Sequence, residues 1–168
     1  CSIFYFGQWL KGYYFRNGKT IFDALLEAHN DFNDTLNSLM LFQQQLYKDL
    51  EAFDDDYKLL CIASYRQSIA AHVLVESLDK ELLFLSKECH SNGCIATVDI
   101  TYPSMPLYLI YNPELVTAMT RPIYKFSRMP IWKFPYAPHD AGTFPYCLGQ
   151  TYALKADETK NDKYLSNM

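Results

Sequence analysis

The stretch from Trp132 to Pro145, Trp-Lys-Phe-Pro-Tyr-Ala-Pro-His-Asp-Ala-Gly-Thr-Phe-Pro, holds the densest set of side chains able to do chemistry. His139 and Asp140 are adjacent, braced by prolines and followed by Gly142, which places two proton-handling groups on a stiff loop. A purely local reading competes, in which Asp140 caps the turn at Gly142 while His139 packs on aromatics. Glu88 and Asp99 bracket a predicted turn, where two carboxylates could divide the acid and base roles, or could be solvated charges and turn caps. Arg66, in Tyr65-Arg66-Gln67 with Ala70, Ala71 and His72 nearby, could hold a carboxylate bidentately or form a buried ion pair between hairpins. His29 and His90 have no metal-ligand spacing, so neither a metal nor a cofactor is expected.

The elements that must position these groups are mostly helical. From Thr20 to about Phe53, apolar residues including Phe22, Leu25, Leu26, Phe32, Leu36, Leu39 and Met40 recur at largely helical spacing and predict one long helix. Thr20 and Asp23 resemble a capping box at its start. The run Asp54-Asp55-Asp56 marks its end and suits the positive N-terminus of a second helix over about Tyr57 to Glu76. So short a link folds the two helices into an antiparallel hairpin over residues 20–77. Glu81 to Lys87 and Cys94 to Ile100, separated by His90-Ser91-Asn92-Gly93, predict a small β-hairpin inserted between helices. Asn112-Pro113-Glu114 starts a further helix, running to about Ser127 with Pro122 inside. Met129 to Tyr152 is a long ordered loop rich in Pro, Gly and aromatics. Residues 1–154 are expected to form the structured segment, and 155–168 a polar, mobile tail.

All 8 prolines fall between Pro103 and Pro145, so a proline-free first part meets a proline-punctuated second part. The 168 residues are 49% hydrophobic, enough for one ordinary core. The net charge of -4 disfavours nucleic acid and anionic lipid as partners. No apolar run has the length a membrane helix needs. The 5 cysteines, at Cys1, Cys61, Cys89, Cys94 and Cys147, include no CxxC pair, and quiet thiols are expected. The 14 tyrosines and 11 phenylalanines exceed what a compact core requires and point to a tyrosine-lined surface or pocket.

Tyr5-Phe6-Gly7, Tyr65-Arg66-Gln67-Ser68-Ile69-Ala70-Ala71-His72, Ser86-Lys87-Glu88, Ser91 to Asp99, Tyr111 to Leu115 and Pro138 to Thr143 together resemble the six-hairpin domain of glutaminase A-like proteins. The resemblance runs in order along nearly the whole chain to Thr151. It implies a mainly α fold: part of an (α/α) six-hairpin toroid of antiparallel helices, with a small β-hairpin insertion and a long Pro/Gly/aromatic loop. It also implies a hydrolase that releases ammonia from glutamine, in an extracytoplasmic setting. On this reading Asp99, Glu88 and Asp140 are candidate catalytic carboxylates, and Arg66, Asn92 and His139 candidate substrate donors. The implied partners are a small molecule, glutamine or a sugar, and the remaining toroid hairpins of a longer parent, without which the chain is expected to be inactive. Glycoside hydrolysis and a non-catalytic carbohydrate-binding or structural module are the alternatives.

Overall fold

The computed structural model describes residues 2–88, 90 and 93–150. The chain divides into two compact units, one over Tyr14–Ala70 and the other formed by the segments on either side of it.

In the Tyr14–Ala70 unit, α1 spans Ile21–Asn30, α2 Phe32–Asp49 and α3 Asp55–Ala70. The capping box is present: the Thr20 N–H donates to Asp23 Oδ2 at 2.7 Å, and Thr20 Oγ1 accepts the Asp23 N–H at 3.3 Å. The single helix predicted over residues 20–53 is interrupted at Asp31, whose backbone turns to φ -90°, ψ 4° while its N–H bonds to Glu27 O. Asn30 and Asp31 favour such a break because their short polar side chains compete for backbone hydrogen bonds. The apolar spacing continues past it, because the Thr35 N–H bonds back to Asp31 O at once. Asp54 Oδ1 accepts the Tyr57 N–H at 2.9 Å and starts α3 at the acidic run. Phe42 of α2 and Tyr65 of α3 meet with ring centroids 5.3 Å apart, so the chain folds back between them.

Among the described residues of these helices only Leu46 is buried. Phe22, Leu25, Leu26, Phe32, Leu39 and Leu60 are all exposed. The helical period therefore defines an apolar surface that the described residues leave open to solvent.

The second predicted helix also stops short, at Ala70, and His72–Glu76 is strand β3 rather than helix. Its Val73-Leu74-Val75 core is better suited to a pleated, half-buried surface, and it pairs antiparallel with β4, Leu82–Ser86, from His72↔Ser86 to Glu76↔Leu82. The predicted hairpin is thus real but displaced: β4 pairs back along the chain. Cys94 to Ile100 supplies only the isolated bridges Lys87↔Ile95 and Cys94↔Thr143. Val98 instead opens helix α4, Val98–Tyr111, a correction to the strand expected there. Pro103 and Pro106 lie inside it, and the Ser104 hydroxyl donates to Ile100 O at 2.9 Å in the same stretch. Helix α5, Pro113–Ser127, begins where Asn112-Pro113 predicts and carries Pro122 within it.

In the same unit, β1 (Ser2–Tyr5) and β2 (Gln8–Lys11) form a hairpin across Phe6-Gly7. Both turn residues have positive φ, 43° and 96°, as a two-residue turn of this hand demands. A two-residue strand, β5 (Tyr146–Cys147), pairs parallel to β1 on its other side. The main core gathers Ile3, Phe6 and Leu10 from the first hairpin, Val75, Leu83 and Leu85 from β3 and β4, Ile123 and Phe126 from α5, and Trp132 and Cys147 from the long loop. Phe84, between Leu83 and Leu85 on β4, points to the opposite face and packs with Tyr108 of α4 and Met119 of α5. Strand β4 is therefore covered on both faces, which fixes α4 and the long loop around it. Tyr152 and the predicted tail from Lys155 lie outside the described residues.

Candidate functional site

The Pro138–Thr143 segment runs along Gly93–Val98, held by main-chain hydrogen bonds. Val98 N–H donates to His139 O at 2.8 Å, Ala141 N–H to Ile95 O at 2.9 Å, and Ile95 N–H to Gly142 O at 2.7 Å. Gly142 has φ +126°, and a Cβ there would run into the Tyr146 and Leu148 backbone, so the close return of the loop depends on glycine. The His139 N–H donates to Gln150 Oε1 at 2.6 Å, and Gln150 is itself buried.

This ladder sets His139 between two carboxylates. His139 Nδ1 lies 3.0 Å from Asp140 Oδ2, and Nε2 lies 3.3 Å from Asp99 Oδ1. The two acids differ sharply in environment: the Asp140 side chain is 2% exposed and that of Asp99 72%. Asp140 also accepts the Gly142 N–H at 2.9 Å through Oδ1. Burial of its charge is thus matched by directed donors. Asp99 stands in the first turn of α4, where the helix dipole favours a negative charge.

Glu88 is half-buried and accepts from the Thr97 hydroxyl at 3.2 Å. The Cys94 thiol links the acids: burial, then the charge of Asp140 and a hydrogen bond to it, then Glu88 and Asp99 push its ionisation up to about 12. Three carboxylates separated by up to 52 residues in sequence (140 − 88) therefore act on one locus. This direction favours the neutral thiol of Cys94 over the thiolate. Arg66 is exposed on α3 in the other unit, and Asn92 lies outside the described residues.

Asp99 and His139 open onto a cleft of about 560 Å³, lined also by Val98, Tyr102, Tyr136, Pro138 and Gln150. Asp140 stands behind His139 and is not part of this lining. Tyr102 and Tyr136 are mostly exposed, so aromatic faces are available at the cleft. Sequence reasoning missed Tyr102 and Gln150 as lining residues. Tyr102 follows Asp99 by one helical turn and would have been legible had α4 been expected, whereas Gln150 carries no local signal. Among the described residues, no cluster of His, Cys, Asp and Glu forms a metal-binding group, and no helix is long and apolar enough to cross a membrane.

A histidine thus lies between a buried and an exposed carboxylate, on a loop fixed to a helix start of a mainly helical scaffold. Residues 54–162 match the glutaminase A six helical-hairpin domain, and the chain belongs to that family. It is 32% identical over 139 residues to glutaminase A of Aspergillus oryzae, covering 82% of this chain and 20% of that protein. It is also 32% identical over 110 residues to a probable glutaminase of Arthroderma benhamiae, covering 64% of this chain and 13% of that protein. The chain thus spans a fifth or less of the length of these relatives. No solved structure matches it.

Proposed function

We propose that the full-length protein hydrolyses the side-chain amide of glutamine to glutamate and ammonia, with Asp99 and His139 handling protons in the cleft. The observation that carries this reading is the Asp140–His139–Asp99 arrangement, with Nδ1 of the ring 3.0 Å from the buried carboxylate and Nε2 3.3 Å from the exposed one. The tautomer that donates Nδ1–H to Asp140 presents Nε2 to Asp99. In the reaction, Asp99 takes a proton from water as the water oxygen bonds to the amide carbon. The carbon–nitrogen bond then breaks, the nitrogen receives a proton through the Asp99–His139 contact, and ammonia leaves. Asp140 acts through His139 as a positioning residue, and Glu88 adds negative charge behind the locus. The names of the two relatives support glutamine as substrate.

The six-hairpin toroid belongs to the same proposal. Its support is the open apolar surface of α1, α2 and α3, which further helical hairpins would cover. Glycoside hydrolysis is favoured by one specific observation, the exposed Tyr102 and Tyr136 rings at the cleft, which suit stacking on a sugar. Ammonia release from glutamine by the full-length protein, lost in Asp99→Asn, supports the amidase reading. Sugar release from aryl glycosides without ammonia release would replace it with the glycosidase, and glycan binding without turnover of either substrate would leave a non-catalytic module.

A further inference from the structure

A second concavity, of about 450 Å³, is lined by Tyr5, Glu81, Arg121, Tyr124, Lys125 and Arg128. It shares no lining residue with the His139 cleft. Its cations come from α5 and its C-cap: Arg121 and Lys125 are one turn apart on the helix and Arg128 follows at its end, beside the buried stripe of Ala118, Met119, Pro122, Ile123 and Phe126. Like charges at this spacing repel, and in a chain of net charge -4 their gathering at a concave surface needs a reason.

Arg121 is partly committed. It donates to Leu82 O at 2.6 Å and lies 3.5 Å from Glu81, so the one acid of the pocket is offset by one base. Lys125 and Arg128 have no carboxylate within ion-pair distance among the described residues; their contacts are with aromatic faces. Lys125 Nζ sits 4.8 Å from the Tyr5 ring centroid and 5.6 Å from that of Phe6, and the Arg128 guanidinium lies 5.9 Å from that of Tyr124. The helix dipole accounts for a cation in the last turn of α5, but not for what Tyr5 does. Tyr5 is 4% exposed, lines the pocket, and makes no hydrogen bond through its hydroxyl among the described residues. The ring is buried while the hydroxyl opens onto the pocket, where it can donate to a bound group. Burial holds its ionisation far above the ordinary tyrosine range, so it is a donor.

We propose that this pocket binds a compact oxyanion, the phosphate or carboxylate of a small molecule, with the Tyr5 hydroxyl, Lys125 and Arg128 as its donors. Tyr5 closes the floor and supplies a directed hydrogen bond, while the two cations supply charge from the rim. The site does not depend on the reaction proposed for the His139 cleft.

The test is calorimetric titration of the full-length protein with inorganic phosphate and, separately, with glutarate. At low salt, saturable binding at about 1 mM or tighter is expected for at least one of them, weakening as NaCl is raised. The tighter of the two identifies the source of the oxyanion. Tyr5→Phe keeps the ring and should weaken binding about tenfold, the loss of one hydrogen bond to a charged group. Lys125→Gln and Arg128→Gln, both at exposed positions, should each weaken it too, and Lys125→Arg should restore most of it. Asp99→Asn should leave it unchanged. Absence of saturable binding by both anions, or binding indifferent to the Tyr5, Lys125 and Arg128 substitutions, overturns the proposal.

Discussion

His139 Nδ1 lies 3.0 Å from Asp140 Oδ2, while the other oxygen of that carboxylate accepts the Gly142 N–H at 2.9 Å. The two local readings of Asp140, turn cap and partner of a catalytic group, are therefore compatible, because one carboxylate has an oxygen for each. Asp140→Asn keeps an acceptor for Gly142 but turns an amide N–H₂ toward His139, which favours the tautomer with Nδ1 unprotonated. Turnover in the full-length protein should fall at least about tenfold, while stability falls by only about 1 kcal/mol. Steady-state kinetics with parallel thermal melts would check this, and unchanged turnover would confine Asp140 to holding the loop.

Cys94 makes a prediction in the opposite pH direction from a carboxylate. Its thiol is raised from 9.0 to about 12 on folding, so the native state holds a proton that the unfolded state releases. The stabilisation is complete below about pH 9 and is lost progressively as pH rises from there through about 12. Tyr5 and Cys147 are shifted the same way, chiefly by burial, and add to the same alkaline loss. The melting temperature should fall as pH rises above 9, less steeply in Cys94→Ala. At pH 8 a thiol reagent should label the half-exposed Cys61 well before Cys94 and Cys147. Rapid labelling of Cys94 in the folded protein would show that its thiol is neither buried nor held neutral.

The signals that could be read directly from sequence were those made within a few residues. Thr20 and Asp23 meet across one helical turn, Asp54 caps α3 three residues on, and His139 and Asp140 are neighbours, so spacing alone contains each interaction. The signals that failed depend on distant partners. His72–Glu76 follows α3 with only Ala71 between them, and as a strand it has Leu82–Ser86 to pair with. Pro103 and Pro106 lack the backbone N–H that a helix interior uses, yet they sit in α4, which packs against α5. The first hairpin, β1 to β2, is short, and β5 arrives at its other edge from more than 140 residues away (146 − 4). Convergence of Glu88, Asp99 and Asp140 around Cys94 likewise has no local trace.

Gly142→Ala tests how far the site depends on the loop's close return. The φ of +126° disfavours any side chain, and the added Cβ would collide with the Tyr146 and Leu148 backbone rather than with a side chain that could move. A loss of at least about 2 kcal/mol in stability is expected, with turnover lost as His139 shifts from Asp99. Chemical denaturation beside the activity assay would measure both. A variant as stable as the parent would mean that the loop can retreat at little cost.

Gln150 holds the backbone of His139. Its Oε1 accepts the His139 N–H at 2.6 Å from a buried position, while the ring itself is turned toward Asp99 and Asp140. Gln150→Leu is close in volume but removes the acceptor, leaving a part-buried N–H unsatisfied at a cost of about 1 to 3 kcal/mol. Gln150→Glu restores an oxygen at the same place, though with a charge, and should recover much of the lost stability. If the loop's register is what aims His139, Gln150→Leu should lower kcat more than it raises KM, because the cleft stays open while the proton-handling pair is displaced. Kinetics of the leucine and glutamate variants, with hydrogen exchange at the His139 amide, would separate these effects. A rise in KM alone would limit Gln150 to substrate contact as a lining residue, and equal stability of the parent and Gln150→Leu would show that the hydrogen bond contributes nothing to holding the loop.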